Sequence, residues 1–172
     1  MVFPLSPLIR ATLVLLYIAT VLPLPVMAPN QLRFEIVLLL LIGILLIWSL
    51  LSEQITIDRL KIRRSYPAWC LWFSSNQWEV NWNDIQKITP VQSSQGGWVY
   101  YIISKHNKAH LLPQRIARFN EFINQFKQLS GIEFLSVSQL TPPWTYQLLR
   151  ALSCLIIAAE LLTFFLIRFI FI

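Results

Sequence analysis

The stretch LRFEIVLLLLIGILLIWSLLS, Leu32–Ser52, decides the fold. From Ile36 to Trp48 it is apolar without a break except at Gly43. A helix rises about 1.5 Å per residue, so about 20 apolar residues cross the hydrocarbon core of a bilayer. Two further apolar stretches lie outward from it, at 8–28 and 148–172. The three enclose one polar, tryptophan-rich insert over 53–147. This is the layout of an integral membrane protein with one small domain on one side of the bilayer.

Composition agrees. Of 172 residues, 56% are hydrophobic and 13% charged, against about 25% charged in an ordinary soluble domain. The deficit falls in the three stretches, and the insert is long enough for a single small core. In the first stretch, Ser6 and Pro7 read as an N-cap and first helical residue. The helix then runs to about Leu22, and Pro23, Pro25 and Pro29 break it, so an extended tail finishes the crossing. Arg10 and Val26-Met27-Ala28 also fit a cleavable signal peptide, but Pro29 would follow the cut bond. The chain divides into a transmembrane hairpin over 1–52 (spans 8–28 and 32–52), a domain over 53–137, a linker over 138–147 and a third span over 148–172.

Orientation follows from basic residues near the span ends. Arg59, Lys61, Arg63 and Arg64 follow the second span, and Arg150 opens the third. The loop between the first two spans offers only Arg33, offset by Glu35. The insert and the N-terminus are therefore placed together in the cytoplasm, with the protein in a bacterial inner membrane or a thylakoid. The net charge of +6 serves topology, and no nucleic-acid partner is expected. Cys70 and Cys154 have no metal-ligand spacing and are expected to be reduced and packed.

Within the insert, Ile55, Ile57 and Ile62 read as an extended segment, and Ala68–Phe73 as a strand. Trp78, Val80 and Trp82 alternate with polar residues at the period of a half-buried strand. Asn83-Asp84 reads as a turn and Ile85–Thr89 as a strand ended by Pro90. Gly96-Gly97 is a turn, Trp98–Ser104 a strand, Lys105–Lys108 a hairpin turn, and Ala109–Leu112 the returning strand. The period then changes. Ile116, Phe119, Phe122 or Ile123, Phe126 and Leu129 mark an amphipathic helix over 115–130, bounded by Pro113 and Gly131. Ile132–Val137 reads as a short coda, and Thr141-Pro142-Pro143 as a stiff linker.

The run Trp78-Glu79-Val80-Asn81-Trp82-Asn83-Asp84-Ile85-Gln86-Lys87-Ile88 takes a strand into an Asp-Ile pair and a further strand. The hairpin Val99–Ile103 to His110-Leu111-Leu112-Pro113 then feeds the helix. Over residues 53–133 this resembles the bacterial pleckstrin-homology-like membrane proteins. The resemblance implies an α+β membrane protein: three transmembrane helices plus a small antiparallel β domain closed by a C-terminal amphipathic helix. The order of two spans and then this domain also resembles the photosystem I assembly factor family of oxygenic phototrophs. The third span departs from that family's pattern.

Three groups of residues are candidates for function. Glu160 lies near the middle of the third span, where insertion scales charge an acid roughly 2.5–3.5 kcal/mol. With Ser153 and Thr163 it forms a polar stripe for an intramembrane partner. Tyr17 and Thr20 of the first span and Gly43 of the second lie at matching depth. Arg59, Lys61, Arg63 and Arg64 could grip anionic headgroups at about 1 kcal/mol each, besides signalling topology. Trp78, Trp82 and Trp98 are the candidate docking face, with Trp69 or Trp72 nearest the bilayer. His106 and His110 flank a turn and lack a third metal ligand in sequence. No catalytic triad, phosphate loop or zinc motif is present. The expected protein is non-enzymatic and takes no cofactor. It acts with membrane lipids and the subunits of a membrane protein complex, as scaffold or assembly factor.

Overall fold

The computed structural model describes residues 1–70, 77–94, 97–132, 137 and 141–170. The chain combines antiparallel sheets with helices and divides into two compact units, Met1–Ser6 with Ser52–Pro142, and Pro7–Leu51 with Pro143–Ile172. Three helical segments, Pro7–Met27, Arg33–Leu50 and Pro143–Ile170, are long and apolar enough to cross a membrane.

The first unit is built from two sheets. In one, β1 (Val2–Pro4), β2 (Gln54–Ile57), β3 (Lys61–Ser65) and β4 (Trp78–Asn81) pair in that order. In the other, β5 (Ile85–Gln92), β6 (Trp98–Ser104) and β7 (Ala109–Leu111) do the same. Every pairing is antiparallel. The first strand is the main departure from the sequence reading, which assigns residues 1–52 wholly to the transmembrane hairpin. Val2, Phe3 and Pro4 pair with Thr56, Ile55 and Gln54. On its other side, β1 meets the segment after β7: Leu5 bridges Ile116, Ser6 N–H donates to the Arg115 carbonyl, and Ala117 N–H donates to the Pro4 carbonyl. Burial drives this, because Phe3 is fully inside the core. Cleavage after Ala28 would remove that core residue.

The same pairing shortens the amphipathic helix. Ile116 and Ala117 are held by β1, so helix α4 (Phe119–Ser130) starts at Phe119 rather than at 115. Its apolar face carries Phe119, Phe122, Ile123 and Phe126 into a core shared with both sheets. Phe122 meets Phe3 edge-on at 5.5 Å, and Phe126 meets Trp82 edge-on at 5.3 Å. Gly131 closes the helix at φ 65°, the left-handed conformation glycine adopts without strain.

Other boundaries moved for local reasons. β5 runs through Pro90 to Gln92. It pairs only with β6, so a proline facing the open edge removes no ladder bond. Residues 68–70 form a 3-10 turn instead of starting a strand. The remainder of that predicted strand lies outside the described residues, as do Gly96 of the predicted turn and most of the coda. Ile132 and Val137, at the ends of that coda, pack on the core.

In the second unit, α1 (Pro7–Val21) is followed by a helical turn, α2 (Leu24–Met27), where the sequence reading has an extended tail. Proline is tolerated in the first turn of a helix, and Pro25 sits there. Likewise α5 (Pro143–Ile170) begins at a proline, so 143–147 belong to the third helix and not to the linker. Helix α3 (Arg33–Leu50) packs on α1 at Gly43, where any Cβ would collide with the Tyr17 hydroxyl. That hydroxyl donates to the Leu40 carbonyl at 3.1 Å.

Two outcomes test this description. Phe3→Ala should lower the unfolding free energy of the full-length protein in mild detergent by about 3–5 kcal/mol. Leu60→Ala, at an exposed hairpin tip, should stay within about 0.5 kcal/mol. Equal effects would remove β1 from the core. For the helices, Gly43→Ala should cost about 1 kcal/mol by displacing the Tyr17 hydrogen bond. That cost should shrink in a Tyr17→Ala background, since the two changes share one contact.

Candidate functional site

The residues of the expected polar stripe lie in the second unit. Thr12 of α1 is fully buried, its hydroxyl 2.8 Å from the Leu8 carbonyl and 3.2 Å from the Tyr146 carbonyl of α5. One heptad further along each helix, Ala19 and Ser153 are both buried. Small residues at that spacing let two helix backbones approach closely. Ser153 donates to its own helix at the Leu149 carbonyl, 2.9 Å away. Ser153 is thus part of the α1–α5 seam. Thr163 is exposed and donates to the Ala159 carbonyl. Glu160 lies between them, half-buried, with one carboxyl oxygen shielded from solvent and no hydrogen-bond partner. Thr20, matched to this depth in the sequence, turns back on the Leu16 and Tyr17 carbonyls of its own helix.

Arg10 has a role that sequence alone did not reveal. Its guanidinium donates to the Leu51 carbonyl at 3.1 Å and lies 5.5 Å over the Trp48 ring. A cation at a helix C-terminus neutralises the end of the macrodipole, here that of α3.

In the first unit, the basic cluster is divided. Arg64 forms a two-pronged ion pair with Glu53, with Nε–Oε1 at 2.9 Å and Nη2–Oε2 at 3.0 Å. Both side chains are mostly buried. Lys61 pairs with Glu79 at 2.7 Å, and its ammonium holds the Glu79 carboxyl below the usual carboxylate range. Arg59 and Arg63 are exposed. Register places Arg59 and Lys61 at the far end of the sheet from Ser6 and Ser52, through which the chain enters α1 and returns from α3. Strand rise of about 3.3 Å per residue puts Asp58 about 13 Å from Gln54.

The tryptophans separate as well. Trp78 and Trp82 do share one face, and it is the inner one. Trp82 is 6% exposed and donates its indole N–H to the Asp58 carbonyl, so it does not belong to a docking face. Trp78 packs against the core and stacks on His110 at 5.1 Å. Trp98 is 47% exposed and Trp69 55%.

A cleft of about 190 Å³ opens between β4 and the β6–β7 hairpin, lined by Glu79, Asn81, Asp84, Ser104, His106, Lys108 and His110 among others. Asp84 accepts from Asn81 at 3.1 Å and Glu79 is taken by Lys61. Among the described residues no group of three or more His, Cys, Asp or Glu is placed to hold a metal ion. Burial, and then the charge of Lys108, lowers the His110 pKa from its ordinary value of 6.5.

The chain is 36% identical over 166 residues to the uncharacterized protein slr0269 of Synechocystis sp. (strain ATCC 27184 / PCC 6803 / Kazusa), covering 93% of this chain and 83% of that protein. No family model and no solved structure matches it.

The histidine environment yields a pH prediction. A base whose folded pKa is depressed stabilises the fold fully above its unfolded pKa and loses that contribution as pH falls toward the folded one. The ring of His110 should titrate with a midpoint below about 6.5 in NMR spectra of the detergent-solubilised protein. His110→Asn should flatten the part of the melting-temperature curve just below that pH. An unchanged curve would mean that burial and the Lys108 charge do not govern the group.

Proposed function

The chain belongs to the family of that cyanobacterial protein, and we propose that it is a non-enzymatic membrane scaffold or assembly factor carrying a pleckstrin-homology-like domain. The observation that carries this reading is the Glu160 carboxyl oxygen, shielded among apolar helices with no donor from the described chain. A shielded carboxyl oxygen without a donor is costly, and a donor from a partner helix removes that cost. The pleckstrin-like reading is supported by two antiparallel sheets followed by one amphipathic helix that fills their shared core. The domain is joined to helices at Ser6, Ser52 and Pro142. The basic residues after α3 support a cytoplasmic side for the domain.

The cyanobacterial source of the relative favours one particular reading, an assembly or stability factor for a photosystem in a thylakoid membrane. A lipid-binding membrane module is the competing class.

Affinity purification of the tagged protein from native membranes in mild detergent, followed by mass spectrometry, distinguishes these. A defined complex should be recovered with wild type, kept with Glu160→Gln and lost with Glu160→Leu. Photosystem or pigment-protein subunits in it would identify the thylakoid role. Recovery of the chain alone with a constant lipid would favour the lipid-binding class and leave Glu160 as a contact within the bundle.

A further inference from the structure

We infer that the domain rests on the bilayer through one rim, with Trp98 and Trp69 as interfacial anchors and Arg115 as its headgroup contact, and not through the basic hairpin of Arg59 and Lys61. Strand register defines this rim. β1 ends at Pro4, two residues before Ser6, which precedes α1, and β2 begins two residues after Ser52. At the same end lie the end of β3, the start of β4, the end of β5 and the start of β6. The β3–β4 connection holds Trp69, and β6 opens on Trp98.

The main chain that carries Trp98 and Arg115 is held in place. Gln114, itself buried, donates to the Trp98 carbonyl at 2.9 Å. The neighbouring Arg115 carbonyl accepts the Ser6 N–H at 2.9 Å. An exposed tryptophan and an exposed arginine are thereby fixed beside the residue that precedes an apolar helix. Tryptophan is enriched at the headgroup level because its ring is apolar and its N–H polar. An uncompensated acid would oppose seating on a membrane. Among the described residues of this rim the acid is Glu53, and Arg64 neutralises it. The occupant is therefore the headgroup and upper acyl region of a lipid bilayer. The inference rests on the membrane-spanning reading of the helices and is independent of any scaffold role.

The test is tryptophan fluorescence of the full-length protein reconstituted in phosphatidylcholine–phosphatidylglycerol vesicles, with and without bromine on the upper acyl carbons. The emission lost in Trp98→Phe and in Trp69→Phe, taken as the difference from wild type, should be quenched by brominated lipid and not by iodide. The emission lost in Trp82→Phe should be reached by neither. If the Trp98 or the Trp69 component is quenched by iodide alone, the rim faces water or a protein partner, and the inference is wrong. A component reached by neither quencher overturns it equally.

Discussion

Everything in the first unit depends on a short strand that pairs across a very long loop. β1 and β2 are separated in sequence by α1, α2 and α3, yet Phe3 sits at the centre of the core they share. Closing a loop of that length in a free chain carries an entropy cost that grows with its logarithm. The helices answer this cost. Tyr17 meets Gly43 and Leu40, and Arg10 meets Leu51, so α1 and α3 run antiparallel and the chain returns close to where it left. The packed α1–α3 pair thus shortens the effective loop between Ser6 and Ser52. The strand pairing is then a local event, and the ladder from Val2 to Pro4 needs no long search.

This dependence also explains what the sequence left hidden. The three long apolar helices were legible because apolar length is a one-dimensional property, and so was β6, with its bulky inward Tyr100 and Ile102. Met1–Leu5 carries no such mark. Three residues of strand before a Ser-Pro helix start look like a leader, and only their pairing with β2 and 115–117 gives them meaning. The early helix start predicted at 115 has the same origin: Ile116, an apolar residue at helical spacing, bridges Leu5 beside β1 instead. Pro90 was read as a stop from its chemistry alone, whereas its position on an edge strand makes it harmless. Arg64 looked like one member of a basic cluster. Its partner Glu53 lies eleven positions away and meets it only through the β2–β3 register.

The tryptophans were counted correctly and placed less well. Period two put Trp78 and Trp82 on one face, but period cannot say which face is inside. Burial of Val80 between them decides it. Trp98 shares the inward parity of Tyr100 and Ile102, and it is exposed because it lies past the end of the core. Its exposure is a consequence of strand length, a quantity that alternation does not encode.

The polar groups of the second unit differ in how completely they are satisfied, and that difference separates structure from function. Ser153, Thr163 and Thr20 all return their hydroxyls to carbonyls of their own helices, the usual way a small polar side chain becomes compatible with lipid. Arg10 caps α3. Glu160 cannot follow either route, since its carboxyl group needs a donor when charged and both a donor and an acceptor when protonated. One heptad N-terminal to it, the Ala19–Ser153 level is already packed tight with small residues. Beyond that level Pro23 and Pro25 leave the carbonyls of Ala19 and Val21 without their helical amides. A protonated Glu160 could donate to a carbonyl of this kind, but carbonyls accept and cannot donate in return. The acceptor capacity of its shielded oxygen therefore remains open among the described residues, which is the observation behind the proposed partner contact. A hydroxyl, amide or cationic side chain on a neighbouring helix meets that need, and an apolar lipid tail does not.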